Sequence, residues 1–206
     1  LEKTAGNTWA AIISSSPFAI LIRDILYCGI NSNEKRLPKI IFNLDNRLKW
    51  EYLRGAWSGD GSVSTVQSGR NLMLEYATTS KSLADGMSLL LQSLGIIPSI
   101  RRRIMNKSKH PAYILRISGA GQIKTMINVF GKKRKLLIEN ILNKYQRIIK
   151  QSGFTKYQTF AAVEVTNIDK RPAKEFVFSL ETGSGLLLAN SGIVVHNCFP
   201  KDVKEL

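Results

Sequence analysis

Cysteine is nearly absent from this chain. Its 206 residues hold only Cys28 and Cys198, too few and too far apart in sequence for a disulfide framework or a zinc-ligand spacing. A reducing, cytoplasmic setting is therefore expected, and any special role for a thiol falls to one cysteine acting alone. Long apolar runs are missing too: "WAAIISSSPFAILI" is interrupted by three serines and Pro17, so nothing approaches the roughly 18 residues that cross a bilayer. That argues against a membrane partner. No secretory leader is recognisable, and a start at Leu1 without methionine points to a fragment or a processed product. Acidic residues are scarce as well. Fifteen Asp and Glu against 30 Lys and Arg leave a formal charge of +15 and a pI near 10.0, which points to a polyanion such as nucleic acid.

What is present is unevenly distributed. Residues 151–206 carry six basic and six acidic residues, so the whole surplus of +15 falls in residues 1–150. A basic binding domain followed by a neutral one is the simplest reading. A hydrophobic fraction of 44% suffices for a packed core. Along the chain, "PFAILIRDILYC" (17–28) predicts a short, mostly buried helix opened by Pro17. Leu44, Leu48, Tyr52, Leu53 and Trp57 then recur at helical spacing, interleaved with the small residues Gly55, Ala56, Ser58 and Gly59, a face suited to close helix contact. Glycines permit that helix to stop at "GDGS". "SVSTVQ" and "LMLEYATT" predict two strands, and "KSLADGMSLLLQSLG" an amphipathic helix. "IPSIRRRIMNK" and "AYILRISG" predict a second strand pair, before two closing helices in "AGQIKTMINVFG" and "KRKLLIENILNKYQRII". From residue 161 the texture turns to short β-like runs, "AAVEVTNI", "EFVFSLET", "GLLLAN" and "GIVVHN", too little to bury a core alone and suited to completing a sheet begun elsewhere.

Two stretches carry chemistry. In "LRGAWSGDG" (53–61), Asp60 lies in the last turn of the small-residue helix, where the negative end of the dipole disfavours a carboxylate and a divalent cation would relieve it. In the second stretch, "VVHNC", an Asn side-chain amide can attack its own backbone carbonyl to close a succinimide ring. The peptide bond that follows is then broken, and enforced proximity favours such intramolecular steps. A neighbouring histidine can supply a proton, and a following cysteine can capture an acyl group.

"LRGAWSGDGSV" resembles the second dodecapeptide motif of the LAGLIDADG homing endonucleases embedded in inteins. "NEKRLPKIIFNL" and "LADGMSLLLQSLGIIPSI" resemble other blocks of the same enzymes. The resemblance implies an α+β fold, an αββαββα endonuclease half, with Asp60 as a Mg2+ ligand and Lys35 as the catalytic lysine near the attacking water. Ser58 stands where the family often has an acid. Arg101, Arg103 and Arg116 are expected on one sheet face, reading guanine edges in the major groove of double-stranded DNA. Arg102 would point the other way, and Lys133 within "GKKRK" would touch phosphates.

"EFVFSLETGSGLLLANSGIVVHNC" resembles the C-terminal splicing (Hint) blocks of inteins. By that likeness His196 assists, Asn197 cyclises, and Cys198 is the first extein residue and acyl acceptor. The tail "CFPKDVKEL" resembles the active-site segment of UDP-glucose and GDP-mannose dehydrogenases, which implies a host enzyme split at its catalytic cysteine. The expected organisation is the end of a first endonuclease half in 1–34 and a second half in 35–150. Splicing strands in 151–197 and an extein stub in 198–206 complete it. Expected partners are double-stranded DNA, the missing N-terminal intein and endonuclease segment, and the host dehydrogenase. Two other readings stay open: a DNA-binding module of this fold without catalysis, and a maturase-like RNA-binding protein.

Overall fold

The computed structural model of the chain describes residues 2–3, 9–10, 12–66, 71–104, 110–144, 154–170, 172 and 180–196. The turns expected around residues 67–70 and 105–109, most of "EFVFSLET", and Asn197, Cys198 and the tail after them lie outside the described residues.

A two-residue antiparallel pair, β1 (Glu2–Lys3) with β2 (Trp9–Ala10), precedes α1 (Ser16–Ile20). Ser15 caps α1 by accepting from the Phe18 amide at 3.3 Å, and Pro17 sits in the first turn. The chain then continues through a wider π-helical turn over Leu21–Ile25. This helix is where expected but not mostly buried: none of its residues is, and Phe18, Ile20, Leu21 and Ile25 are exposed. A helix that is apolar all round but for the exposed Arg23–Asp24 ion pair is built to be covered, and the described part of this chain does not cover it.

The centre of the molecule runs through a 3-10 turn (Lys39–Asn43), α2 (Asn46–Asp60), β3 (Gly61–Val66), β4 (Asn71–Thr78) and α3 (Lys81–Ser93). It continues through β5 (Ser99–Arg103), β6 (Ala112–Ile117), α4 (Ala120–Met126) and α5 (Lys132–Lys144). The αββαββα order expected from the sequence is thus observed, with α5 following. The strands form one antiparallel sheet in the order β3-β4-β6-β5. Alternation decides its two faces. Leu72, Leu74 and Tyr76 of β4 and Leu115 and Ile117 of β6 are buried, along with Leu53 and Trp57 of α2, a row of α3 side chains from Leu83 to Leu91, and Ile123 and Met126 of α4. At about 1.5–3 kcal/mol for each fully buried large apolar side chain, this cluster dominates stability. Every buried apolar residue among those described lies between Leu37 and Ile138.

Helix α2 begins at Asp45, whose carboxylate accepts from the Leu48 amide at 2.9 Å. It ends where the Gly61 amide donates to the Trp57 carbonyl. Gly61 has φ −88 and ψ 145, an extended conformation open to any residue, so it is not needed for turn freedom. It is needed for space: a Cβ there would run into the indole and the carbonyl of Trp57. The stop at "GDGS" falls where expected, for a different physical reason.

Helix α3 is a junction. Its N-cap Ser80 accepts from the Leu83 amide at 3.2 Å and donates its hydroxyl to the Lys35 carbonyl at 2.6 Å. Gly86 lets the chain pack close, since a Cβ there would stand 2.9 Å from Leu37 Cβ.

Beyond α5 two separate hairpins follow, β7 (Phe154–Lys156) with β8 (Ala161–Val163), and β9 (Leu186–Ala189) with β10 (Ile193–His196). The strand expected over 161–168 is regular only for its first three residues, and its partner, β7, was not anticipated. Val163, Val165, Ile168, Leu180, Leu186, Leu188, Ile193 and Val194 are exposed, as expected of strands too few to bury a core. No helix among the described residues is long and apolar enough to cross a membrane.

Candidate nucleic-acid interface and cleavage site

The face of the sheet away from the helices is laid out by register. Opposed residues of an antiparallel pair share a face. Ser62 stands opposite Glu75, Glu75 opposite Arg116, and Arg116 opposite Ser99. The neighbouring rows place Ala77, Ile114 and Arg101 together, and then Ala112 with Arg103. The structure therefore brings Arg101, Arg103 and Arg116 to one face, with Arg102 on the other opposite Tyr113. Arg101 and Arg103 are exposed. Arg116 is partly buried and donates through Nε to Glu75 Oε1 at 2.5 Å, a pairing that the sequence reading missed. Glu75 is the sole acidic residue in strands β3 to β6, and that was its available signal.

Asp60 is the last residue of α2, exposed, and directly precedes β3 at the sheet edge. Below it Trp57 and Tyr76 meet with ring centroids 5.3 Å apart. Burial, then the nearby charges of Asp60 and Tyr52, pushes the Tyr76 phenol up to about 12. Burial likewise raises Tyr52, whose surroundings include Cys28, and the Cys28 thiol itself. The Tyr76 phenol, which feels the Asp60 charge, thus stays neutral. The small-residue side of α2 is open: Gly55, Ser58 and Gly59 are exposed, and a Cβ added at Gly55 or Gly59 would meet nothing within 4 Å.

Lys35 is exposed on the segment tied to the α3 cap through its carbonyl. No ion pair joins Lys35 to Asp60 among the described residues. A metal ion is implied by the enzymes this motif resembles. Among the described residues no group of three or more His, Cys, Asp and Glu could hold one. A lone exposed carboxylate fits Mg2+ only as one ligand of a set that phosphate oxygens and water complete. In "GKKRK", Arg134 donates to the Gly61 carbonyl at 3.4 Å and Lys135 to Asn128 Oδ1 at 3.1 Å. Both thus tie α5 to the fold, while Lys133 is exposed.

At the other end of the chain β10 closes on His196, opposite Leu186 and exposed. The turn between β9 and β10 is fastened to α3. Ser191 Oγ donates to Asp85 Oδ1 at 2.6 Å, and Gln92 Nε2 donates to the Ser191 carbonyl at 2.6 Å and to Ser88 Oγ at 3.0 Å. Lys81 pairs with the other Asp85 oxygen at 2.5 Å. Ser191 and Gly192 both have positive φ, 59 and 85, and a Cβ on Gly192 would run into the Gln92 amide. Lys156 adds a second tie, donating to the Gly95 carbonyl at 2.7 Å just beyond the end of α3.

Residues 48–131, from α2 to just before α5, match the LAGLIDADG-like domain. The chain therefore contains a LAGLIDADG-like domain, and a domain of this kind points to DNA binding or endonuclease work. Over all 206 of its residues the chain is 41% identical to an uncharacterized protein of Methanocaldococcus jannaschii, of which it spans 23%. It is 23% identical to a DNA polymerase of Thermococcus aggregans over 84% of the chain and 11% of that protein. It is 33% identical to an ATP-dependent DNA helicase of Thermococcus kodakarensis over 50% of the chain and 9% of that protein. The chain thus spans less than a quarter of each of these relatives.

Proposed function

We propose that this chain is the C-terminal part of an intein, in which one half of a homing endonuclease that cuts double-stranded DNA is followed by the last splicing strands. The observation that carries the nuclease reading is the position of Asp60, at the exposed end of an uncovered small-residue helix and at the edge of a sheet whose open face bears three arginines. A second endonuclease half would pack along Gly55 and Gly59 and bring its own acid beside Asp60. Arg101, Arg103 and Arg116 would then face base edges in the major groove, and Lys133 a phosphate. Asp60 would hold Mg2+ together with scissile phosphate oxygens, the cation supplying charge neutralisation for hydrolysis. Lys35 would stand near the attacking water.

The test supplies the N-terminal half and compares wild type with Asp60→Asn on a long duplex target. Cutting should fall at least 10²-fold while binding stays within a few-fold, since one carboxylate is lost and no basic contact changes. Unaltered cutting by Asp60→Asn refutes the assignment. A wild-type protein that binds duplex but never cuts is the non-catalytic binder, and preference for structured RNA would favour the maturase-like reading.

The intein reading is supported by the sequence His196-Asn197-Cys198, whose first residue closes β10. It is supported too by the relatives: one is named a DNA polymerase and another a DNA helicase, yet the similar segment is only 11% and 9% of each. An insert carried by different hosts behaves in this way. Asn197 would cyclise with His196 assisting and release Cys198, the first residue of a stub that resembles a nucleotide-sugar dehydrogenase. With the N-terminal segment restored, Asn197→Ala should abolish cleavage before Cys198 by mass spectrometry. Full-rate cleavage in that variant ends the splicing reading.

A further inference from the structure

An acid is an unexpected resident of a DNA-facing sheet. Phosphates repel it, and the rest of the charge on that face is arginine. Glu75 nevertheless sits mid-sheet between Ser62 and Arg116. The side chains of Glu75 and Arg116 are only 24% and 26% exposed, so their pairing is better shielded than a surface ion pair, whose worth is usually small. The contact is also specific in its geometry, because Arg116 uses Nε. A guanidinium held by that edge keeps its terminal Nη pair for another partner, and the two-pronged contact of arginine with guanine O6 and N7 uses such a pair of donors.

We propose that Glu75 is a specificity-determining positioning residue: it holds Arg116 by Nε so that the two terminal nitrogens are preset for one G·C pair. The proposal rests on the reading of the open sheet face as a DNA-reading surface. Arg101 and Arg103, on the edge strand β5 and exposed, have no such holder among the ion pairs of the described residues. Arg116 therefore loses less rotamer freedom on binding than they do, and its base pair should be the one read most strictly by the three.

The experiment selects binding sites from a randomised duplex library with the full protein and measures relative affinities for all four base pairs at each position. Wild type, Glu75→Ala, Glu75→Gln, Arg116→Ala and the Glu75→Ala/Arg116→Ala double variant are compared. One position should show guanine preference that falls about tenfold in Glu75→Ala, within the range that one good bidentate contact discriminates. Glu75→Gln keeps an oxygen for the Arg116 Nε and should retain most of that preference. The double variant should lose no more at that position than Arg116→Ala alone, because Glu75 acts through Arg116. A uniform gain of affinity for every sequence in Glu75→Ala, with the preferences intact, overturns the proposal and makes Glu75 a mere repelling charge. Additive losses at two different positions overturn it as well, because Glu75 would then contact a base itself. Absence of any sequence preference in wild type refutes the DNA-reading surface, a separate failure.

Discussion

Two glycines that stand two residues apart should respond in opposite ways to the same substitution. Gly59 is exposed within α2, and an added Cβ meets nothing within 4 Å; Gly55, one turn earlier, is the same. Alanine in a helix interior is worth roughly 0.5–1 kcal/mol over glycine. Gly59 lies in the last turn, where propensity counts for less, so Gly55→Ala/Gly59→Ala should stabilise the chain by about 1 kcal/mol. At Gly61 the backbone is already extended at φ −88, so alanine also gains about 0.4–1 kcal/mol from a less free unfolded chain. Its methyl, however, enters space held by Trp57, which is 0% exposed and has nowhere to retreat. Overpacking of a filled core typically costs 1–3 kcal/mol. Gly61→Ala should therefore be destabilising by a net ~1 kcal/mol.

Urea unfolding followed by tryptophan fluorescence reads both changes as shifts of the midpoint at constant slope. The functional consequence runs against stability. If the proposed nuclease reading holds and a second half is supplied, the extra methyls at 55 and 59 should hold the partner helix away and depress cutting, in a protein more stable than wild type. Destabilisation of the unpartnered chain by Gly55→Ala/Gly59→Ala would show that this face is already covered, and the argument for a helix-helix seam there would fall.

Two further outcomes follow from one buried phenol and one partly buried amide. The folded state holds the Tyr76 phenol proton more tightly than the unfolded chain, at about 12 against an ordinary value of about 10. The resulting stability is complete below about pH 10 and is lost as pH rises through about 12, an effect on the order of 2 kcal/mol. Tyr76→Phe should flatten that part of the pH dependence, and identical alkaline slopes for the two proteins would refute it. Gln92→Glu exchanges a donor for a carboxylate that faces the Ser191 carbonyl and lies near Asp85. Amide exchange in β10 should accelerate several-fold while β4 and β6 are unaffected, and unchanged protection in β10 would show that the turn is held by something else.

How much of this was legible in the sequence depended on the range of the interaction. The spacing of Leu53 and Trp57, the alternation in "LMLEYATT" and the stop after "SLG" are local, and the corresponding elements lie within a few residues of expectation. The face shared by Arg101, Arg103 and Arg116 was legible because period-two alternation survives any choice of strand order. The burial of α1 was not, because an apolar helix records what it is made to touch and not whether this stretch of chain supplies it. Nor was the reason for Gly61, since a glycine at a helix end suggests backbone freedom and only the position of Trp57 shows that space was required. The Glu75–Arg116 pair spans 41 residues and the Ser191–Asp85 bond 106, and neither separation leaves a periodic trace.

Helix α3 gives these distant contacts a common consequence. Its N-cap holds the Lys35 carbonyl, its inner face fills the core under the sheet, and its outer face grips the turn that leads into His196. A helix of 13 residues is stiff on this scale, so the lysine segment, the arginine face and the β9–β10 hairpin share one frame of reference. The grip also explains a cost. Ser191 is a non-glycine residue in the left-handed region, a conformation that persists only where the surroundings over-determine it, and Asp85 and Gln92 are those surroundings. A hairpin with most of its apolar side chains exposed is marginal alone. Its order therefore depends on the domain to which α3 belongs, and a shortened chain lacking α3 would have to find its replacement for Asp85 and Gln92 elsewhere before β10 could hold His196 in place.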